Sequence, residues 1–98
     1  MPKVLEDLKN NLFVYIYTND HIPAHVHVFK GRKNDNNQKE LKINIGNEQE
    51  RPSLVSVHED LKNKDILNAL KLVAANQEIL LSKWREIHGV SELGNGVD

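Results

Sequence analysis

Apolar and polar residues alternate with a period of two through the first half of the chain and with a period near 3.6 through the second. Leu12 to Thr18 is rich in β-formers and too short for an ordinary helix, with Leu12, Val14 and Ile16 on one face and Phe13, Tyr15 and Tyr17 on the other. Asn19, Asp20 and Pro23 punctuate its end. A second strand is predicted from about His25 to Lys30, with Val26 and Val28 on one face and His25, His27 and Phe29 on the other. Its short connection to the first favours an antiparallel pair. Gly31 to Lys39 is polar and without periodicity, and reads as a mobile hairpin loop. Glu40 to Gly46 alternates again, placing Leu41, Ile43 and Ile45 together and Lys42 and Asn44 opposite. Ser53 to His58 gives a shorter fourth strand with Val55 and Val57 on a common face. Pro2 to Asn11 suits a short helical turn or an irregular lead-in.

From Asn63 to His88, apolar side chains at Ile66, Leu70, Val73, Leu80, Trp84 and Ile87 recur in steps of three, four or seven. Asn63 is the expected cap and Gly89 the expected stop. Asn76-Gln77 interrupts the stripe, which predicts either one long helix or two with a kink. The fold class is therefore α+β: a three- to four-stranded, mostly antiparallel sheet packed on one face by a C-terminal helix or kinked helix pair. Residues 1–89 form one domain and 90–98 a frayed, flexible tail. The expected core is Leu12, Val14, Ile16, Val26, Val28, Leu41, Ile43, Ile45, Val55 and Val57. Phe13, Tyr15, Tyr17, His25, His27 and Phe29 then face away from the helices, on a surface stickier than solubility requires.

The 98 residues suffice for one modest two-layer core and leave no room for a second. With no cysteine, disulfides and thiolate zinc sites are excluded. The N-terminus lacks the apolar run of a signal peptide and no stretch approaches membrane-spanning length, so the expected location is the cytoplasm, with no membrane contact. Thirteen basic residues against fourteen acidic ones give a net charge of −1, which argues against a dedicated duplex binder.

Three of the five histidines lie within His21 to His27. In a strand, His25 and His27 project from one side, about 6.5–7 Å apart along it. His21, on the Asp20-His21-Ile22-Pro23 turn, can fold back towards them. Three readings follow. The first is metal-independent acid–base cleavage of RNA, without a cofactor: His25 and His27 act as general base and acid, and His21 and Asp20 complete the catalytic set. Tyr15 or Tyr17 would stack a base, while Lys30, Arg32, Lys33 or Lys42 would hold phosphates. The second is a metal site for zinc or another divalent transition metal on His21, His25 and His27, with Asp20 or His58 completing the ligands. In the third, Asp20 accepts a backbone N–H to hold the turn, the histidines pair across the sheet, and the aromatic face is a subunit or partner interface. Trp84 is expected in the core with its indole N–H near the sheet rim. His58 and His88 are expected as local hydrogen-bond or dipole partners.

Tyr17-Thr18-Asn19-Asp20-His21-Ile22-Pro23-Ala24-His25-Val26-His27, followed by Gly31, resembles the N-D-H-x-P-P-H-F-H signature of the small bacterial domain-of-unknown-function 4160 family. Asn76 to Trp84 is similar to that family's C-terminal half, so the resemblance spans roughly Leu12 to Ile87. The chain departs from the signature at Ala24, where a second proline is usual, and at Val26, where an aromatic is usual. Its Gly31–Lys39 loop is also longer. The resemblance implies a component of a toxin–antitoxin-like two-protein module, with a small cognate partner protein encoded nearby. That component is either an RNA-cleaving toxin or a non-catalytic, antitoxin-like domain, and homo-oligomers and RNA are further partners to expect.

Overall fold

The structure is a computed structural model that describes residues 3–31 and 38–89. Arg32 and Lys33, most of the predicted hairpin loop and the predicted tail at 90–98 lie outside the described residues. Five strands, β1 (Lys3–Asp7), β2 (Leu12–Tyr15), β3 (His25–Lys30), β4 (Lys39–Asn44) and β5 (Ser53–Val57), precede two helices, α1 (Asn63–Ala75) and α2 (Gln77–His88). The strands pair antiparallel in sequence order, so every connection in the sheet joins neighbours. The predicted class holds, with five strands in place of three or four.

The additional strand is β1, in the segment expected as a helical turn or lead-in. Its alternation is hidden by a bulge: Lys3 opposes Tyr15 and Leu5 opposes Val14, which leaves Val4 as the extra residue. Asn11, at φ 58°, closes the turn into β2, and its N–H donates to the Leu8 carbonyl at 3.2 Å. Asp7 fixes the same turn by accepting from the Asn10 side chain at 2.8 Å. The helical stripe divides at Asn76, whose side chain donates back to the Leu72 carbonyl at 2.9 Å. Lys62, not Asn63, occupies the N-cap of α1, and no side chain caps that end.

The fully buried cluster joins Leu12, Val14, Ile16, Val26, Val28, Leu41, Ile43 and Ile45 of the sheet side to Ala69, Val73, Leu80 and Trp84 of the helices. Burying each large aliphatic chain contributes about 1.5–3 kcal/mol. Val55 departs from the expected core and is 50% exposed. A second bulge is the reason. Lys42 opposes Ser56 and Ile43 opposes Leu54, so Val55 is skipped and the parity of β5 inverts around it. Gly46 (φ 78°) turns the chain out of β4; a Cβ there would stand 2.4 Å from the Glu50 carbonyl oxygen.

The other sheet face is not the bare surface that alternation suggested. Phe13 is 3% and Tyr15 8% exposed. Tyr15 packs edge-on against Phe29, with centroids 5.5 Å apart, and stacks on Tyr17 at 6.1 Å, while the Lys3 ammonium lies 5.7 Å from the Phe13 ring centre. This face is a second, aromatic layer.

Urea denaturation of Ile43→Ala and Val55→Ala tests the bulge. Ile43→Ala is expected to lose about 2–5 kcal/mol and Val55→Ala less than about 1 kcal/mol, although both are β-branched sheet residues.

Candidate functional site

The site forms where β2 ends and β3 begins. Asp20 lies on the turn between them, and its N–H donates to the Tyr17 carbonyl at 3.1 Å. One carboxylate oxygen, Oδ2, accepts the Tyr17 N–H at 3.0 Å. This local side-chain-to-backbone bond aims the second oxygen, Oδ1, at the sheet face. There it stands 3.1 Å from His27 Nε2 and 3.4 Å from His25 Nε2. One ligand atom from each of these three residues lies within 4.8 Å of the others.

The other ring nitrogens fix the tautomers. His25 Nδ1 is 3.0 Å from the Pro23 carbonyl oxygen, which can only accept, so Nδ1 carries the proton. His27 Nδ1 is 2.6 Å from Glu40 Oε2 and donates to that carboxylate. In neutral rings, therefore, both Nε2 lone pairs converge on an anionic oxygen. Three acceptors meet with no donor among them, and only a cation placed there, a proton on each ring or a metal, reconciles them.

Glu40 is the site residue that sequence reasoning missed. It opposes Phe29 in the β3–β4 register, one diagonal step from His27, within reach of a carboxylate. Its parity was available, since it shares a face with Lys42 and Asn44. The register was not, because the Gly31–Lys39 loop leaves the pairing open.

The structure separates the remaining candidates. His21 is exposed and is not among the ligand atoms gathered around Asp20. His58 uses Nδ1 to accept the Asp60 N–H at 3.0 Å, the local role expected of it. Lys42 stands opposite His27 on β4 and shares its face. Lys30 has the parity of Val26 and Val28, so it points to the helix side, where it pairs with Asp65 at 3.1 Å and donates to the Asn10 carbonyl at 2.8 Å. It is thereby removed from the phosphate-holding set. The Tyr17 ring lies 4.6 Å from the His27 ring, and Tyr15 is packed between Tyr17 and Phe29. Neither tyrosine is an open stacking platform.

The imidazoles are also less open than expected. His25 and His27 are each 8% exposed, and the Trp84 ring of α2 meets the His25 ring at 5.4 Å. The helix layer thus reaches the site at the start of β3, and an outward-looking pair of rings is corrected to a nearly closed one. The Trp84 indole N–H is buried and finds no hydrogen-bond acceptor among the described residues. His88 lies against the same indole at 3.9 Å, and its Nδ1–H donates to the Trp84 carbonyl at 3.0 Å.

Burial by itself would push the Asp20 carboxyl up, but the Tyr17 N–H, the hydrogen bond to His27 and the charges of His27 and His25 outweigh it. The group sits below its ordinary value. Tyr17 is pushed up by burial first and then by Glu40, Tyr15 and Asp20.

A family model described as a domain of unknown function, DUF4160, matches residues 11–85. No curated protein and no solved structure matches the chain. Among the described residues no helix is long and apolar enough to cross a membrane.

A carboxyl lowered by folding contributes stability that is complete above its unfolded value, near pH 4, and is lost as pH falls through the lower folded one. In chelator, the wild-type urea midpoint is therefore expected to drop on acidification below about pH 4. Asp20→Asn keeps an oxygen for the Tyr17 N–H but cannot titrate, so its midpoint should fall less steeply over that interval.

Proposed function

We propose that this chain, which belongs to the DUF4160 family, is a metal-binding domain whose Asp20, His25 and His27 hold zinc or another divalent transition metal. One observation carries this reading: both Nε2 atoms face one carboxylate oxygen while both Nδ1 atoms are engaged by acceptors, so that neutral rings would present two lone pairs beside an anionic oxygen. Ligand histidines ordinarily donate their second nitrogen in this way, to a carbonyl or a carboxylate. Tetrahedral ligands at 2.0–2.1 Å stand about 3.3 Å from one another, beside the 3.4 and 3.1 Å between Asp20 Oδ1 and the two Nε2 atoms. The three donor atoms lie within 4.8 Å of one another, so the widest edge of the triangle closes up when the ion binds. Two imidazoles and one carboxylate form a donor set that suits zinc and its neighbours and leaves further coordination positions for water or a ligand.

The same geometry disfavours a metal-free acid–base pair. Each ring has its Nδ1 proton engaged and its Nε2 turned to Asp20, so neither directs a nitrogen at a phosphodiester. Glu40 would act on the metal through His27, by fixing the ring and raising its basicity. Membership of a toxin–antitoxin-like pair is a separate proposal, about partners, carried by the resemblance. Its test is co-purification of the untagged chain with the product of the neighbouring reading frame.

Untagged protein purified without chelator is expected to carry close to one equivalent of a divalent transition metal by elemental analysis. Chelation should lower its melting temperature and re-addition restore it. His25→Ala, His27→Ala and Asp20→Ala should each abolish loading, and Glu40→Gln should weaken affinity about 10–100-fold. A native protein that is metal-free and whose melting is unmoved by added zinc, cobalt or manganese would overturn the proposal. RNA cleavage that persists in chelator and is lost in His27→Ala would favour the acid–base alternative.

A further inference from the structure

The antiparallel topology gathers a second, differently charged cluster at the other end of the sheet. The β1–β2 turn, the end of β3, the start of β4, the β5–α1 connection and the first turn of α1 all meet there. They line a pocket of about 450 Å³ with Lys9, Lys30, Lys39, Lys62 and Lys64. Two acids, Asp60 and Asp65, share that lining, so five cations against two anions leave a local charge of +3 on a chain whose net charge is −1. Asp65 is already engaged by Lys30 at 3.1 Å. Lys9, Lys62 and Lys64 make no ion pair among the described residues.

Like charges crowded around one concavity repel each other, and the remainder of the chain is acidic enough to have paired them. We propose that this pocket is a binding site for a phosphate-bearing ligand of nucleotide size, held chiefly by Lys9, Lys62 and Lys64. Ammonium groups from two separate chain segments, the β1–β2 turn and the start of α1, would meet phosphate oxygens as point charges, the ordinary use of lysine at such sites. The volume matches small-ligand pockets, which run from about 300 to 1,000 Å³. Lys30, fixed by Asp65 and the Asn10 carbonyl, is a further lining residue and holds β3 to α1. From His25 to Lys30, β3 spans about 16 Å, so this site stands apart from the proposed metal centre and is independent of it.

The phosphate can belong to a free nucleotide or to the end of an RNA strand, and three probes separate these: inorganic pyrophosphate, ATP and a single-stranded RNA decamer. Titrations of the full chain are made in chelator at about 50 and 150 mM salt. We expect saturable one-to-one binding of at least one probe at the higher salt. ATP displaced by pyrophosphate identifies a free nucleotide; tight RNA with weak ATP identifies the strand. The double variant Lys62→Glu/Lys64→Glu places acids at the start of α1, where they favour the helix, so folding is retained. It should bind at least tenfold more weakly, with circular dichroism and metal content unchanged. Absence of saturable binding by all three probes, or affinity unaltered in the double variant, would overturn the proposal and leave a set of solvated lysines. Failure here leaves the metal reading intact, and loss of metal in His27→Ala leaves this site intact.

Discussion

The site depends on one carboxylate performing two tasks. Asp20 Oδ2 ties its own turn by accepting the Tyr17 N–H, and that bond orients Oδ1 towards the two imidazoles. A turn held only by solvent would leave the carboxylate free to rotate away. The rings are equally fixed, His25 through a backbone carbonyl and His27 through Glu40. Each member of the triad is thus held by a bond that does not involve the other two. Such support is what keeps three mutually repelling acceptors together.

The rest of the fold serves this arrangement by fixing register. In the β2–β3–β4 ladder Tyr15, His27 and Lys42 share one row, and Phe13, Phe29 and Glu40 another. A slip of one residue in β3 would turn both histidines into the aliphatic core, so burial of Val26 and Val28 enforces the presentation of His25 and His27. The aromatic rings on the far face lower the exposure of the site, and Trp84 closes it from the helix side at His25. The two ends of the sheet carry different chemistry. One end gathers acceptors, and the other gathers ammonium groups around a helix start that no side chain caps.

Bulges explain where simple alternation misleads. In β1 the extra residue, Val4, disguises a strand as an irregular lead-in, and in β5 the extra residue, Val55, shifts the register so that Leu54 opposes Ile43 and Val55, expected in the core, is exposed. Both bulged strands lie at the edges of the sheet, where one neighbour is absent and the ladder tolerates an unpaired residue. The central strands have ladder partners on both sides, and on their helix-facing side the pattern in the chain and the burial in the fold agree.

The sequence alone determined what is local: the period-two strands β2 to β4, the helical stripe and its interruption at Asn76-Gln77, the two faces of the sheet, and Asp20, His25 and His27 as neighbours on one loop and strand. Each depends on residues within a few positions of each other, where backbone geometry fixes direction. Pairing across the long loop was decided only by the tertiary structure. It brought Glu40 to His27, sent Lys30 to Asp65, set Trp84 against His25, left His21 exposed and collected lysines from several segments into one pocket. Those contacts join segments whose relative register and packing are set by the whole core, and no local pattern encodes them.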